Sequence, residues 1–434
     1  MKIFFLAITF LAMTFSIHAQ QQDDSSAEIT TESSTENLSA RLTKINFIGL
    51  KKTSPSYLQS RVQKYTGNPL SETDLHELET DLQLEGIFNE IKIETEETGT
   101  NEIQVNVTVK EKITFVPVPF AIYSNSSLLA GAIILDTNAF GKKDMFILGG
   151  FAGKNAKTGM ASFASPPKDN WIPGFSIFTL GSIFTPEFSD TDDKTVLKYE
   201  DSYYQIKLQL TEKLPHDFFL VTGLDFTDHR ITEHEDFRLL TPEAVKIGLF
   251  SLSLEYSNSD WNGIFMSTNT ATISTDFGLT DSKDSDLKHP YGFSFAIGEE
   301  HPVFTDRIRF YQKYSGYYGK NIHTAALKSV DSASVSILSS HFSSSKLAGG
   351  RAGLEAALKK FNWGMFSVYG DWQCLFVEDF APAEKKADRE FMHGFSAGTK
   401  IYLAKIAFPA FAMGLSYNIN KHYYRFSAAL GATF

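Results

Sequence analysis

From Tyr423 to Phe434 the chain alternates in twos. Tyr424, Phe426, Ala428, Leu430, Ala432 and Phe434 share one face, and Arg425, Ser427, Ala429, Gly431 and Thr433 share the other. Only an extended strand brings every second residue to a common side, so this stretch is a strand with one greasy and one small or polar face. The pattern recurs upstream. Phe250, Leu252, Leu254 and Tyr256 oppose Ser251, Ser253 and Glu255, while Phe411, Met413, Leu415, Tyr417 and Ile419 oppose Ala412, Gly414, Ser416 and Asn418. Greasy-out, polar-in segments of about ten residues suit strands whose outer face meets lipid. Phe434, an aromatic at the end of the greasy row, is expected to sit on the strand that closes such a barrel.

Counting from Ile113 onward gives sixteen candidate strands and no convincing helix, an even number that suits a closed antiparallel barrel. Alternate connections differ in length. Pro186–Asp201, Asp228–Ala244, Gly278–Pro290, Gly319–Ala348 and Glu378–Phe391 read as long polar loops on one side. Asn258–Asn262 and Lys359–Gly364 read as tight turns on the other. Trp171, Trp261 and Trp363 all fall on the tight-turn side, where an aromatic girdle is expected. The fold expected is therefore an all-β transmembrane barrel over residues 113–434.

Composition agrees. Phe and Tyr number 38 and 17, yet after the first residues no run approaches the roughly 20 apolar residues of a membrane helix. A formal net charge of −11 argues against a nucleic-acid partner. Lys2, the apolar run Ile3–Phe15 and the small-residue exit at Ala19 form the three parts of a secretory signal peptide, expected over residues 1–19. Residues 20–40, rich in Gln, Ser, Thr, Asp and Glu, are expected to be a disordered linker. Cys374, the single cysteine, cannot form an internal disulfide.

Residues 41–112 read as a separate α+β domain of order β-α-α-β-β. A strand ends at Gly49, and a helix over Pro55–Tyr65 is closed by Gly67. Ser71 caps a second helix whose stripe is Leu75, Leu78, Leu82 and Leu84 and whose end is Gly86. Strands Phe88–Glu96 and Glu102–Lys110 follow. The "INFIGLKKT" opening, Gly67 with Leu70, "LQLEGIFNEIKIE" with Gly86 and Phe88, and "VNVTVKEK" resemble a POTRA domain. That resemblance implies capture of client polypeptides by pairing along a sheet edge.

Together, the domain and the strands resemble the BamA/TamA-type family of outer-membrane assembly proteins, the bacterial surface antigens. The resemblance rests also on the turn "DTNAFGKKD" (Asp136–Asp144), on "FMHGFSAGTKIYLAK" and on "FPAFAMGLSYNINKHYYRFSAALGATF". It implies an outer-membrane barrel with a periplasmic POTRA domain, and a sixth outer loop folded into the lumen with an Arg-Gly-aromatic motif. Here that loop, Gly319–Ala348, holds lysines but no arginine. The family's lumen acids correspond to Glu355 and Asp371, and alternation turns both inward with Arg351. Arg351, or else Lys346, is expected to neutralise the pair, which unpaired would shift toward protonation.

The function implied is non-enzymatic insertion or translocation of polypeptide or lipid clients. It would proceed by POTRA capture and a lateral seam between the closing strand and the first strand "FVPVPFAIYS", where Pro117 and Pro119 remove donors. A passive pore or surface-interaction barrel is the alternative. The expected partners are outer-membrane lipid and periplasmic polypeptides, with a monomeric barrel. No catalytic, metal or cofactor site is expected. "DHRITEHEDF", with His229, Glu233, His234 and Glu235, reads as a solvated loop, no Gly-x-Ser-x-Gly elbow occurs, and "LAGGRAG" lacks the ending of a phosphate loop.

Overall fold

The computed structural model describes residues 40–99, 101–124, 127–154, 156–167, 172–233, 237, 239–262, 264–361, 364–378, 389–403 and 409–430. The expected signal peptide, nearly all of the expected linker, Trp171, Trp363, His234, Glu235 and Phe434 lie outside these residues; of Trp261 only the backbone is described.

The first unit comprises β1 (Arg41–Ile48), α1 (Pro55–Val62), α2 (Glu72–Leu84), β2 (Phe88–Gly99) and β3 (Glu102–Glu111). Pro55 opens α1, where its missing N–H costs nothing. Ser71 and Asp74 cap α2 reciprocally: Asp74 N donates to Ser71 Oγ at 3.1 Å and Ser71 N to Asp74 Oδ2 at 2.8 Å. The sheet order is β1-β3-β2, β1 running parallel to β3 and β2 antiparallel to it. Leu58, Val62, Leu70, Leu78, Leu82 and Phe88 cover its inner face against Ile45, Val105 and Val107. Gly67 follows the first helical segment and Gly86 the second. Gly49 leaves β1 at φ +93°, and a Cβ there would lie 2.3 Å from Val109 O, so only glycine fits.

Sixteen strands close the second unit, with each paired antiparallel to the next and the last returning to the first. They are β4 (Phe115–Ser124), β5 (Ser127–Asp136), β6 (Met145–Gly153), β7 (Ala156–Ser165), β8 (Gly174–Phe184), β10 (Thr195–Lys213), β11 (Phe218–Glu233) and β12 (Val245–Asn262). The ring continues with β13 (Phe265–Thr280), β14 (Tyr291–Val303), β15 (Thr305–Lys320), β18 (Lys346–Phe361), β19 (Gly364–Glu378), β20 (Arg389–Leu403), β21 (Pro409–Asn418) and β22 (Tyr423–Leu430). Short strands β9 (Glu187–Ser189), β16 (Lys328–Ser329) and β17 (Ser343–Ser344) lie in the connections. Leu252, Leu254, Ile273, Phe293, Phe395 and Leu415 are exposed on the outside. Such an apolar band is stable only against lipid, which makes the unit a transmembrane barrel.

Strands run further than their alternation indicates. The expected loops Pro186–Asp201 and Asp228–Ala244 are partly strand, because β10 begins at Thr195 and β11 continues to Glu233. Asn258–Asn262, expected as a turn, is the end of β12 and pairs through Asn262↔Phe265. His229 is consequently no solvated loop residue. It is buried on the inner face of β11, its Nδ1 2.7 Å from Asp201 Oδ2 on β10, under the Tyr203 ring. Polar residues of a barrel wall look like loop because their neighbours are water and other lumen groups.

Candidate functional site

Among the described residues the seam is the shortest ladder of the wall. Among the described residues β22 meets β4 over four pairs, Ser427↔Ser124 to Leu430↔Ala121, against eight between β21 and β22 and ten between β4 and β5. Tyr424 and Phe426 point outward and are exposed, Leu430 pairs through its backbone with Ala121, and Phe434 is outside the described residues. Phe115–Phe120, the half of β4 that carries Pro117 and Pro119, has no β22 partner among the described residues. All ten residues of β4 keep register with β5, and Pro117 and Pro119 leave this strand two backbone donors short.

Over the seam side of the lumen lies the connection between β15 and β18. Residues 321–345 fold into the barrel, burying Val330, Ala333, Ile337, Leu338 and Phe342 against Leu347, Leu375, Val377 and Met392 of the wall. Its tip is held through the main chain. Ser336 N donates to Gln373 Oε1 at 2.7 Å, and Asn418 Nδ2 donates to Ile337 O at 3.0 Å. Gln373 is oriented in turn, its Nε2 donating to Asp371 Oδ1 at 2.8 Å, while Tyr311 OH donates to Asp371 Oδ2 at 2.7 Å and Ser396 Oγ to Asp371 Oδ1 at 2.6 Å. Asp371 thus reaches the loop through a neutral amide, which is how a loop without arginine keeps its seat.

Glu355 has other partners. It is fully buried, accepting from Arg309 Nη2 and Lys400 Nζ, each at 2.8 Å, from Tyr402 OH at 2.8 Å and from Ser367. Arg309 also binds Glu300 of β14, stacks over the Phe265 ring at 4.8 Å and donates to Tyr402 OH. Lys313 completes the group at 2.9 Å from Glu300. The expectation that Arg351 or Lys346 neutralises Glu355 and Asp371 is corrected. Arg351 forms no ion pair with either carboxylate, its Nε is buried without a hydrogen-bond partner, and Lys346 binds Glu378 at 2.7 Å. The cations that neutralise Glu355 come instead from β15 and β20, the two elements that flank β18 and β19, while Asp371 accepts from the neutral Tyr311, Gln373 and Ser396. Strand parity alone turned Arg309 inward, opposite the greasy Ile308 and Phe310, but nothing in the sequence sets its register against Glu355.

The first turn on the POTRA side, Thr137–Asp144, docks on the loop after β1. Ser54 N donates to Gly141 O at 2.7 Å, Asn138 Nδ2 to Thr53 Oγ1 at 2.9 Å, and Lys52 Nζ pairs with Asp136 at 2.6 Å. Lys143 lies 3.5 Å from Glu85, and burial holds its ammonium below the usual lysine range despite that carboxylate. Glu111 accepts from Lys52 N and Thr53 N at 2.8 Å each. Burial acts to raise its pKa, but these hydrogen bonds outweigh it and hold the carboxyl below the usual range. Gly49, Leu70, Gly86 and Phe88 shape the domain behind this contact and touch no part of the lumen. Among the described residues no group of three or more His, Cys, Asp and Glu is placed to hold a metal ion.

Residues 40–112 match the POTRA family model, described as surface antigen variable number repeat. A search of curated proteins finds no match in sequence. Among solved structures, BamA from Haemophilus ducreyi lacking POTRA domains 1–3 superposes with a TM-score of 0.62 at 14% identity, over 91% of this chain and 85% of that one. CdiB from Escherichia coli gives 0.63 at 14%, over 91% and 76%, and CdiB from Acinetobacter baumannii 0.61 at 13%, over 90% and 74%. A POTRA domain at residues 40–112 is thus joined to a sixteen-stranded membrane barrel whose fold is similar to that of BamA and CdiB.

Proposed function

We propose that the chain is a non-enzymatic outer-membrane insertase or translocase of polypeptide clients, with its POTRA domain in the periplasm. The observation that carries this reading is that the closing strand β22 pairs with β4, the strand that holds Pro117 and Pro119, over four residue pairs among the described residues. In lipid an opened strand edge leaves N–H and C=O groups unpaired at several kcal/mol each, so a wall opens only where an incoming strand replaces the partner. A first strand that lacks two backbone donors has fewer groups to re-pair when the wall opens. The second element is β2, an edge strand of the POTRA sheet, whose outer flank has no partner strand among the described residues and can accept an extended client through main-chain pairing alone. The client would then pass from one backbone edge to another without a side-chain code. A passive pore is the poorer reading, because the buried residues of 330–342 occupy the lumen.

The test uses purified chain in liposomes and a urea-unfolded eight-stranded outer-membrane barrel as client. Insertion is expected to accelerate severalfold over empty liposomes. In a Cys374→Ser background, a disulfide between Ile122→Cys and Ala429→Cys should abolish that acceleration, and reduction should restore it. Equal rates with and without the protein would overturn the proposal.

A further inference from the structure

The connection between β8 and β10 is built as a rigid hairpin. β9 pairs with the start of β10 through Thr195↔Ser189, Leu197↔Phe188 and Lys198↔Glu187. Its base is an apolar cluster in which the Phe188 ring stacks on Tyr199 at 5.8 Å, beside Val196, Leu197 and Leu239. The turn is fixed by Asp190, whose Oδ1 accepts from Asp192 N and Lys194 N at 3.0 Å each, and Asp193 stands in the left-handed region at φ +63°. A long polar connection needs none of this order to span a gap between adjacent strands.

The tip of this hairpin does not rest on its own strands. It meets the closing hairpin, from which β4, β5, β6 and β7 separate its own strands in the wall. Lys421, in the β21–β22 turn, lies 2.9 Å from Asp192 and 2.9 Å from Glu390 of β20, and donates to Thr191 Oγ1 at 3.2 Å. Thr191 Oγ1 donates to Glu390 Oε1 at 3.0 Å. Arg425, on β22 itself, is 3.6 Å from Asp193. On the near side Ser189 N donates to His341 O of the lumen loop at 3.3 Å. This hairpin, a strap across the mouth, therefore grips Lys421 in the turn before the seam strand and Arg425 within it, and also the loop that fills the lumen.

We infer that Thr191–Asp193 is an ionic latch holding β22 in the closed wall, so that the seam parts only after the strap lets go of Lys421 and Arg425. The inference rests on the seam reading above and adds what regulates it. β22 can swing away from β4 only by moving its far end, and that end is tied across the mouth to a hairpin anchored on β10 and β11. Each exposed pair shifts an equilibrium by about two- to fivefold, so losing both should raise the open population on the order of tenfold. The latch is also arranged to be released from outside, because Asp192 and Asp193 are half exposed at the mouth while Lys421 and Arg425 are more sheltered.

Alkylation of a single cysteine at Ala429, a buried position that faces Ile122 across the seam, reports parting of the strands. The protein is the full chain with Cys374→Ser and Ala429→Cys in liposomes, the probe is N-ethylmaleimide, and the gel shift on heating checks that each variant is folded. Asp192→Asn with Asp193→Asn should raise the alkylation rate about tenfold, and 0.5 M sodium chloride should raise that of the unaltered strap similarly. Lys421→Asp alone, which sets a third acid beside Asp192 and Glu390, should raise the rate at least as far as the double Asn variant. An unchanged rate in the double Asn variant, in a protein whose Ile122–Ala429 disulfide still blocks client insertion, overturns the latch and leaves the seam standing. No alkylation under any condition overturns both.

Discussion

Replacing Arg309 by Ala should cost far more than replacing Arg351. Arg309 bridges two buried carboxylates, Glu355 with no exposure and Glu300 with 16% side-chain exposure, and lies 12% exposed itself. Removing one partner of a buried pair typically costs about 3–5 kcal/mol, because the other charge stays behind without compensation. Two features lower that figure here. Lys400 stays 2.8 Å from Glu355 and Lys313 stays 2.9 Å from Glu300, so neither acid is orphaned. Against this, Tyr402 loses a donor and Phe265 loses the guanidinium over its ring, a contact worth about 1 kcal/mol. The expected loss is about 2–4 kcal/mol. Arg309→Lys should recover only part of it, since one ammonium cannot reach both acids in the fork geometry. Arg351→Ala, which removes no ion pair to either carboxylate, should stay within about 1 kcal/mol. Equilibrium urea unfolding in liposomes, followed by intrinsic tryptophan emission, reads the difference. If Arg351→Ala destabilises as much as Arg309→Ala, the assignment of the neutralising cation is wrong.

Three further outcomes follow from the geometry. Gln373→Ala leaves Ser336 N without its acceptor in a dry site and takes two donor contacts from Asp371 and Ser396, at about 1–3 kcal/mol; the loop tip should then become sensitive to limited proteolysis within 330–345. Gly141 stands at φ +73°, and a Cβ there would lie 2.2 Å from Lys52 O, so Gly141→Ala should loosen the POTRA domain from the barrel, seen as a wider distance distribution between spin labels on the two units. The hydrogen bond from Lys421 holds Asp192 below the usual carboxylate range, so its contribution is fully present above the unfolded pKa of about 4 and fades as pH falls below it. Strap cross-linking between Asp192→Cys and Lys421→Cys cannot report that titration. Proteolysis at the strap turn can, and should be flat from pH 5 to 8 and rise below pH 4.

How far the sequence revealed the molecule depends on which forces leave a local trace. The barrel strands were legible because lipid on one side and water on the other impose a period of two, as in Phe250–Tyr256. The POTRA helices were legible from Ser71 and its leucine stripe for the same kind of reason, a cap and a period. Parity turns Glu355 and Asp371 inward but does not identify their partners. Arg309 and Glu355 are neighbours across a ladder whose strands are joined by residues 321–345, and a connection of that length fixes no register. Alternation sets Arg351 on the same face as Glu355, but four residues along a strand is more than about 12 Å, so a shared face does not make them partners. The inward fold of the loop was implied by resemblance alone. What seats it, Gln373 and Asn418, are neutral amides with no distinguishing sequence signature.

The lumen loop and the strap close the same mouth by opposite physical means, and that difference can be measured. Val330, Ala333, Ile337, Leu338 and Phe342 are held by apolar contact and by hydrogen bonds from uncharged groups, which salt at a few tenths molar scarcely affects. The strap tip is held by Asp192, Asp193, Glu390, Lys421 and Arg425 at a wet rim, where screening within a Debye length of about 8 Å at physiological salt weakens every pair. Raising sodium chloride from 0.1 to 0.5 M should therefore increase protease cutting at Thr191–Lys194 while leaving 330–345 protected, and planar-bilayer conductance should stay low. Gln373→Ala should do the reverse, exposing the loop and raising conductance with the strap still in place. Joint release of both segments by salt would mean that the loop depends on the strap through the Ser189–His341 contact, and that the two closures are one.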